Sequence, residues 1–372
     1  MEKIQHPDRI EKVYEFTIPK GQSSERLDNF LTRMIPNATR TKVQKAIAAE
    51  RVLVNSKTKK PSYKIAPMDH ILCTVMKLPP IELIPEEIPL NIVYEDDYLI
   101  VVNKPAGMCV HPGIGNRYGT LVNALLYYFG IRDSINIEVT DLDDDDNETD
   151  NDELAESDDL AEQDNESYIN INDIQINGVR PFLVHRIDKD TTGLLVVAKT
   201  LEVHRGLSEQ FSKKTSTREY NAIVWGKPKK ERGTIDGNIG RSPNDRKAFA
   251  VVEHGGKPAI TDYEVLEYFL YTSLLKFNLH TGRTHQIRVH AASIGHKLFG
   301  DVRYGGDKVL FGRENPQWRN TALKYLTANP RQMLHAKTLG FLHPITKQWM
   351  DFDSELPDDM LEQIVNMRKF IK

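Results

Sequence analysis

The 372 residues carry 49 Lys and Arg against 53 Asp and Glu, a formal net charge of −4 at pH 7, and two cysteines, Cys73 and Cys109. That length houses one large domain with a smaller one, or two of middling size. No apolar run approaches the roughly 20 residues that cross a bilayer, the opening MEKIQHPDRIEK has no secretory apolar stretch, and the cysteines lack disulfide or metal spacing, which excludes a membrane or disulfide-framework class and leaves a cytoplasmic setting as the expectation.

Residues 1–21 read as an extension, and residues 22–76 as a self-contained module. Leu27, Phe30, Leu31 and Met34 recur at helical spacing behind a possible N-cap, Ser24. A second helix is expected from Thr41, where TKVQ has the form of a capping box closed by Gln44, with Val43, Ala46 and Ile47 inward. RVLVN and HILCTV alternate as strands around the turn SKTKKPS. Between Arg26 and Lys64 stand ten Lys or Arg and two acids, with Arg40, Lys42 and Lys45 gathered at the second helix's start, where backbone N–H groups also favour phosphate. Charge alone leaves a solvated helix face equally open. The proline-punctuated LPPIELIPEEIPL then marks a link over residues 77–90.

From residue 91 short strands alternate with turns and helices. DDYLIVVNKPAGMCVHPG reads as a buried strand running into a turn, which puts Lys104 and His111 at a strand end. GTLVNALLYYFG reads as a helix with Leu121, Ala124, Leu125 and Tyr128 on one face; GIGNRYG has the wrong glycine spacing for a dinucleotide site. Residues 138–166 hold 16 acids and no Lys or Arg; taking those charges out of a net −4 leaves +12 on the other 343 residues, a surplus that suits an enzyme of small acidic metabolites and, better, a nucleic-acid binder. The acidic block itself has the composition of a disordered insertion.

HRIDKDTTGLLVVAK sets a charged and hydroxyl loop, Asp188 to Gly193, against a buried strand, Leu194 to Ala198. Asp188, Asp190, Thr191 and Thr192 suit local turn capping as well as chemistry, and Arg186 neutralises a carboxylate under either reading. REYNAIVWG alternates as a strand beginning near Tyr220. HTGRTHQIRVHAASIGHKLFGD predicts a helix capped by Thr284, lined by Ile287, Ala291 and Ile294, ended by Gly295, with Arg288 at the edge of its inner face. His280, His285 and His290 lie five apart, against a helical zinc pair, so no metal is expected.

These segments, with VVNKPAGMCVHPG, TGRTHQIRVHAASIGHKLFGDVRYGG and QMLHAKTLGFLHPITKQWM, resemble in order the RluA-type pseudouridine synthases over about Ile92–Asp353, and the RLDNFL…VLVN…MDHI run resembles the S-four RNA-binding module. The resemblance implies an α+β fold: a small helix-and-strand module, then a catalytic domain around a mixed, mainly antiparallel sheet flanked by helices. It implies an isomerase that moves uracil from an N-glycosidic to a C-glycosidic bond, needs no cofactor because no redox step occurs, and acts on RNA, large-subunit rRNA first, as a monomer. It assigns the essential carboxylate to Asp188, the guanidinium beside it to Arg288, and the base-stacking phenol to Tyr220. Arg186 would help fill the space of an extruded base; Lys104, Lys199 and Arg283 are candidate phosphate contacts, with Arg40, Lys42 and Lys45 in the module. A transfer-RNA synthase of the same family, a non-catalytic ribosome-assembly factor, and a glycoside or nucleoside hydrolase using two carboxylates are the competing readings.

Overall fold

The computed structural model describes residues 10–36, 38–77, 81–113, 116–137, 181–243, 245 and 248–370; the acidic block falls outside them. The chain divides into two compact units, one holding the N-terminal residues and the other most of the remainder.

The smaller unit is built from β1 (Ile10–Thr17), α1 (Leu27–Met34), α2 (Arg40–Ala48), β2 (Val52–Val54), β3 (Lys57–Thr58) and β4 (His70–Lys77), with sheet order β1-β4-β2-β3. Leu27, Phe30 and Leu31 of α1 meet Val43 and Ile47 of α2 over Val52, Val54, Ile71 and Cys73 of the sheet. Residues set aside as an extension thus supply β1, which pairs antiparallel with β4 along its length, from Ile10↔Lys77 to Thr17↔His70. Two caps differ from expectation. Helix α1 starts after Arg26 with no side-chain cap, not at Ser24. Thr39, not Thr41, caps α2 by accepting from the Lys42 N–H, and the Gln44 amide donates to Asp28 instead of reaching back.

A short strand, β5 (Ile81–Leu83), precedes the larger unit. From residue 92 the chain order is β6 (Ile92–Glu95), β7 (Leu99–Lys104), α3 (Leu121–Tyr128), β8 (Ile135–Ile137), β9 (Phe182–Leu183), β10 (Thr192–Ala198), α4 (Leu201–Ser212), β11 (Thr217–Trp225), β12 (Arg232–Arg241), β13 (Phe249–Val252), β14 (Lys257–Tyr268), β15 (Thr272–Leu279), α5 (Gln286–Ser293), α6 (Pro316–Ala328), β16 (Leu334–Leu342), β17 (Trp349–Asp353) and α7 (Asp358–Arg368). The main sheet runs β13-β12-β14-β15-β11-β16-β10-β7-β6, with β17 on β16 and β9 on β10. Its pairings are antiparallel except at the centre, where β10 and β16 run parallel through Thr192↔His335 and Gly193↔Ala336. The sheet is mixed and mainly antiparallel, as expected.

Two cores flank that centre. Leu194, Val196 and Ala198 of β10 pack with Leu99, Val101, Val203, Leu207 and Phe341. Trp225, Phe269, Phe299, Trp318, Met360 and Ile364 form the other, which draws α6 and α7 onto the sheet. Every residue of β10 is buried, and burying one Leu or Val stabilises by about 1.5–3 kcal/mol, so this strand is a rigid mount for the loop before it.

Candidate active site

Gly193 ends that loop with φ +117°, and a Cβ there would lie 2.2 Å from the Ala336 carbonyl oxygen. Only glycine lets β10 come this close to β16. One row then crosses four strands: Lys104 of β7, Gly193 of β10, Ala336 of β16 and Tyr220 of β11. A register shift between Glu219 and Tyr220 bends β11 at that row. Upstream of Gly193 the chain turns on itself, the Thr191 N–H donating to the Asp188 carbonyl at 3.1 Å, so Asp188 opens a tight turn whose centre is Lys189 and Asp190.

The Asp188 carboxylate accepts from Arg288 Nη1 at 2.8 Å through Oδ2. Arg288 is itself aimed by Asp301, which takes Nε at 2.8 Å and Nη2 at 2.9 Å in a two-point pairing buried from solvent. The guanidinium lies 5.0 Å from the centre of the Tyr304 ring. Thr284 does not cap α5; the N-cap is His285 in the left-handed region, φ 54°, without a side-chain cap. The Gln286 amide does the stitching instead, accepting from Arg283 N–H and Thr281 Oγ1 and donating to Ile260 O and Thr261 Oγ1. Its strained neighbour His285 reaches Asp188 Oδ2 at 3.9 Å through Nε2 and hydrogen-bonds the Tyr304 hydroxyl at 2.8 Å through Nδ1.

Burial pushes the Asp188 carboxyl up, but His285, Arg288 and Arg186 outweigh it and hold the pKa at about 2. Burial opposes the Arg288 charge too, and the two aspartates reverse that, holding its pKa well above the ordinary arginine value. Tyr220 is buried, and burial with the Asp188 charge raises its phenol pKa against a smaller opposing pull from Arg218. A neutral phenol at pH 7 suits ring stacking better than proton removal.

The remaining sequence candidates separate. Arg186 is half-buried with its charge felt at Asp188, and Arg283 is half-buried with Nε turned to Pro258 O at 3.4 Å. Lys104 is not a surface cation: it is 1% exposed and donates to Pro105 O, Met108 O and Lys189 O at 2.8–2.9 Å, leaving no proton for a phosphate. Its pKa falls to about 7 through burial, against the raising pull of Asp188. Lys199 is likewise engaged, with Glu95 Oε1 at 2.6 Å and Asp96 O at 2.5 Å. In the N-terminal unit, Arg40 lends Nε to Asp28 and keeps a side chain 57% exposed, Lys42 is half-buried and Lys45 exposed. Asp301, His285 and Tyr304 received no role from sequence reasoning. Asp301 and Tyr304 sit in the family-like string that ends FGDVRYGG, the one signal that could have drawn attention to them. Among the described residues no group of His, Cys, Asp or Glu could hold a metal ion.

Comparison with known proteins gives this geometry its context. The RNA pseudouridylate synthase family matches residues 98–293, and the S4 domain matches residues 25–71. An uncharacterised RNA pseudouridine synthase of Chlorobaculum parvum is 42% identical over 92% of this chain and 94% of its own. The ribosomal large subunit pseudouridine synthases D of Zymomonas mobilis and Escherichia coli K12 are 39% and 36% identical, covering 93% and 95% of this chain and 95% and 93% of theirs. The solved human RNA Pseudouridylate Synthase Domain Containing 4 shares the fold, with TM-score 0.50 and 21% identity over 75% of this chain and 93% of that one. The chain belongs to the RluA-type RNA pseudouridylate synthases, isomerases of RNA uridines, and carries its S4 RNA-binding domain ahead of the catalytic one.

Proposed function

We propose that this synthase isomerises specific uridines of large-subunit rRNA, with Asp188 as its essential carboxylate. The observation that carries the role of Asp188 is its uneven engagement. Oδ2 is held by Arg288, while Oδ1 makes no hydrogen bond among the described residues and the side chain stays 21% exposed. A carboxylate ionised at pH 7 and left half-satisfied is fit to attack the anomeric carbon or the base, or to take a sugar proton. Arg288 offsets the cost of burying its charge.

Tyr220 stacks on the extruded base in this reading, and Arg186 helps occupy the space it leaves. Extruding a paired nucleotide costs a few kcal/mol, offset by such stacking and by backbone contacts. Arg283 and the module's Arg40, Lys42 and Lys45 meet phosphates. The enzyme acts as a monomer in the cytoplasm in this reading, a setting in keeping with two free thiols. The choice of large-subunit rRNA rests on near full-length similarity to relatives so named.

The test is to incubate purified protein with large-subunit rRNA and transfer-RNA transcripts and map pseudouridines by carbodiimide-dependent reverse-transcription stops. New stops in the rRNA alone support the proposal. Stops confined to transfer RNA move the substrate to that class, and stops in neither contradict it.

A further inference from the structure

The turn that presents Asp188 is gripped one residue at a time. Lys104 donates to the Lys189 carbonyl at 2.9 Å, Arg331 Nη1 to the Asp190 carbonyl at 3.1 Å, and Gln332 Nε2 to Thr191 Oγ1 at 3.2 Å, while His335 Nδ1 meets Thr192 Oγ1 at 2.8 Å. Three of these four grips come from one stretch, residues 331–335, on the approach to β16 and its first turn of strand. Arg331 is buried and is fixed in turn from α7: Asp359 takes its Nε at 2.6 Å and Nη2 at 2.7 Å. That leaves Nη1 as the end aimed at the loop, shared with the Gln332 carbonyl at 3.0 Å. Asp359 stands in the first turn of α7, its Oδ1 also accepting from the Met360 N–H, and stays 25% exposed.

We propose that Arg331, aimed by Asp359, is a positioning residue for catalysis: the pair transmits the placement of the C-terminal helix to the turn that sets Asp188. Asp190 enters through its backbone carbonyl, so the arginine reads the turn's shape and not its side chain. A planar fork suits this task, since two of its nitrogens engage the carboxylate while the third keeps a fixed direction. The inference rests on Asp188 being the essential carboxylate.

The experiment compares wild type, Arg331→Gln, Asp359→Ala, Asp359→Glu, the double variant Arg331→Gln/Asp359→Ala and Asp188→Ala. Each full-length protein is measured for single-turnover rate at saturating enzyme, for transcript Kd and for melting. Misplacing a catalytic group by ~1 Å costs on the order of 100-fold. Asp359→Ala and Arg331→Gln are therefore expected to slow the single-turnover rate by about 10- to 100-fold, with Kd unchanged and the assay run well below each melting transition. Asp359→Glu recovers much of the rate, and the double variant is no slower than the slower single one, as expected of groups acting in series. If Arg331→Gln does not fold, the variants at the partly exposed Asp359 carry the test. Wild-type rates in Asp359→Ala, or losses that follow Kd or the folded fraction, overturn the proposal. Turnover retained by Asp188→Ala instead fails the reading of Asp188, and takes this inference with it.

Discussion

Two aspartates held by arginines, one in each unit and only the first fully buried, show how similar partners give different outcomes. Asp28 in the S4 domain is fully buried and saturated. Its Oδ1 accepts from Arg26 Nε at 2.9 Å and Asn29 N–H at 3.1 Å, and its Oδ2 from Arg26 Nη2, Arg40 Nε and Gln44 Nε2 at 2.9–3.2 Å. Asp188 in the catalytic domain has one guanidinium on one oxygen, a histidine at 3.9 Å, and its second oxygen without a hydrogen bond among the described residues. Hydrogen bonds from Arg26, Gln44 and Arg40 hold the Asp28 carboxyl below the usual range against a smaller opposing effect of burial, and His285, Arg288 and Arg186 hold the Asp188 carboxyl there against a larger one. A low pKa therefore does not separate the two sites; the unused hydrogen-bonding capacity of Asp188, 21% exposed, does.

The comparison breaks most visibly at Arg288. Arg288→Met strands Asp301 as a buried charge, and removing one partner of a buried pair costs about 3–5 kcal/mol. Denaturant unfolding should show that loss, with turnover gone in whatever fraction still folds. Asp28→Ala should be milder, because Arg26 and Arg40 are 40% and 57% exposed and regain water; about 1–3 kcal/mol is expected for a lost buried network. Its signature is weaker transcript binding with the single-turnover rate at saturation preserved. A drop in that rate would erase the contrast between the two sites.

Acidity sharpens the same contrast. The folded pKa of Asp188 is depressed to about 2 from an unfolded value near 3.9, so its contribution to stability is complete above about pH 4 and is lost as pH falls toward 2. Turnover should accordingly show no acid limb from Asp188 between about pH 5 and 8. Replacing His285 with Asn removes one of the groups that lower this pKa, so any acid limb should move upward, never downward; a rate profile decides. The smallest effect belongs to Asp190→Ala. The carbonyl of Asp190, not its carboxylate, meets Arg331, so measurable turnover should persist. A dead Asp190 variant with wild-type melting would reassign the chemistry.

The local features of the site were legible in the chain, and the long-range ones were not. A charged loop ahead of five consecutive apolar residues forecast a buried strand with a fixed mouth, and β10 is that strand, begun two residues earlier at Thr192. Alternation forecast β11 with Tyr220 near its start. Burial of a lysine is invisible to composition, so Lys104 and Lys199 read as candidate phosphate contacts when one grips three carbonyls and the other a carboxylate and a carbonyl. The cap at Ser24 gave way to the Tyr63 and Pro61 carbonyls, which take the Leu27 and Asp28 N–H groups, the cap at Thr41 to its local neighbour Thr39, and the cap at Thr284 to a start at His285. Gln44 turned to Asp28, and Gln286 satisfied the groups around the start of α5. Strand β1 escaped notice because its partner, β4, lies some sixty residues downstream. The pairing of Asp188 with Arg288 spans 100 residues, and only family resemblance brought them together before the fold did.

The most direct measurement is pseudouridine mapping on one large-subunit transcript with wild-type protein and Asp188→Ala, each matched for folded fraction by melting. The account predicts modified positions with wild type, none with Asp188→Ala, and superimposable melting curves. Modified positions surviving at wild-type levels in the Asp188→Ala reaction would contradict it.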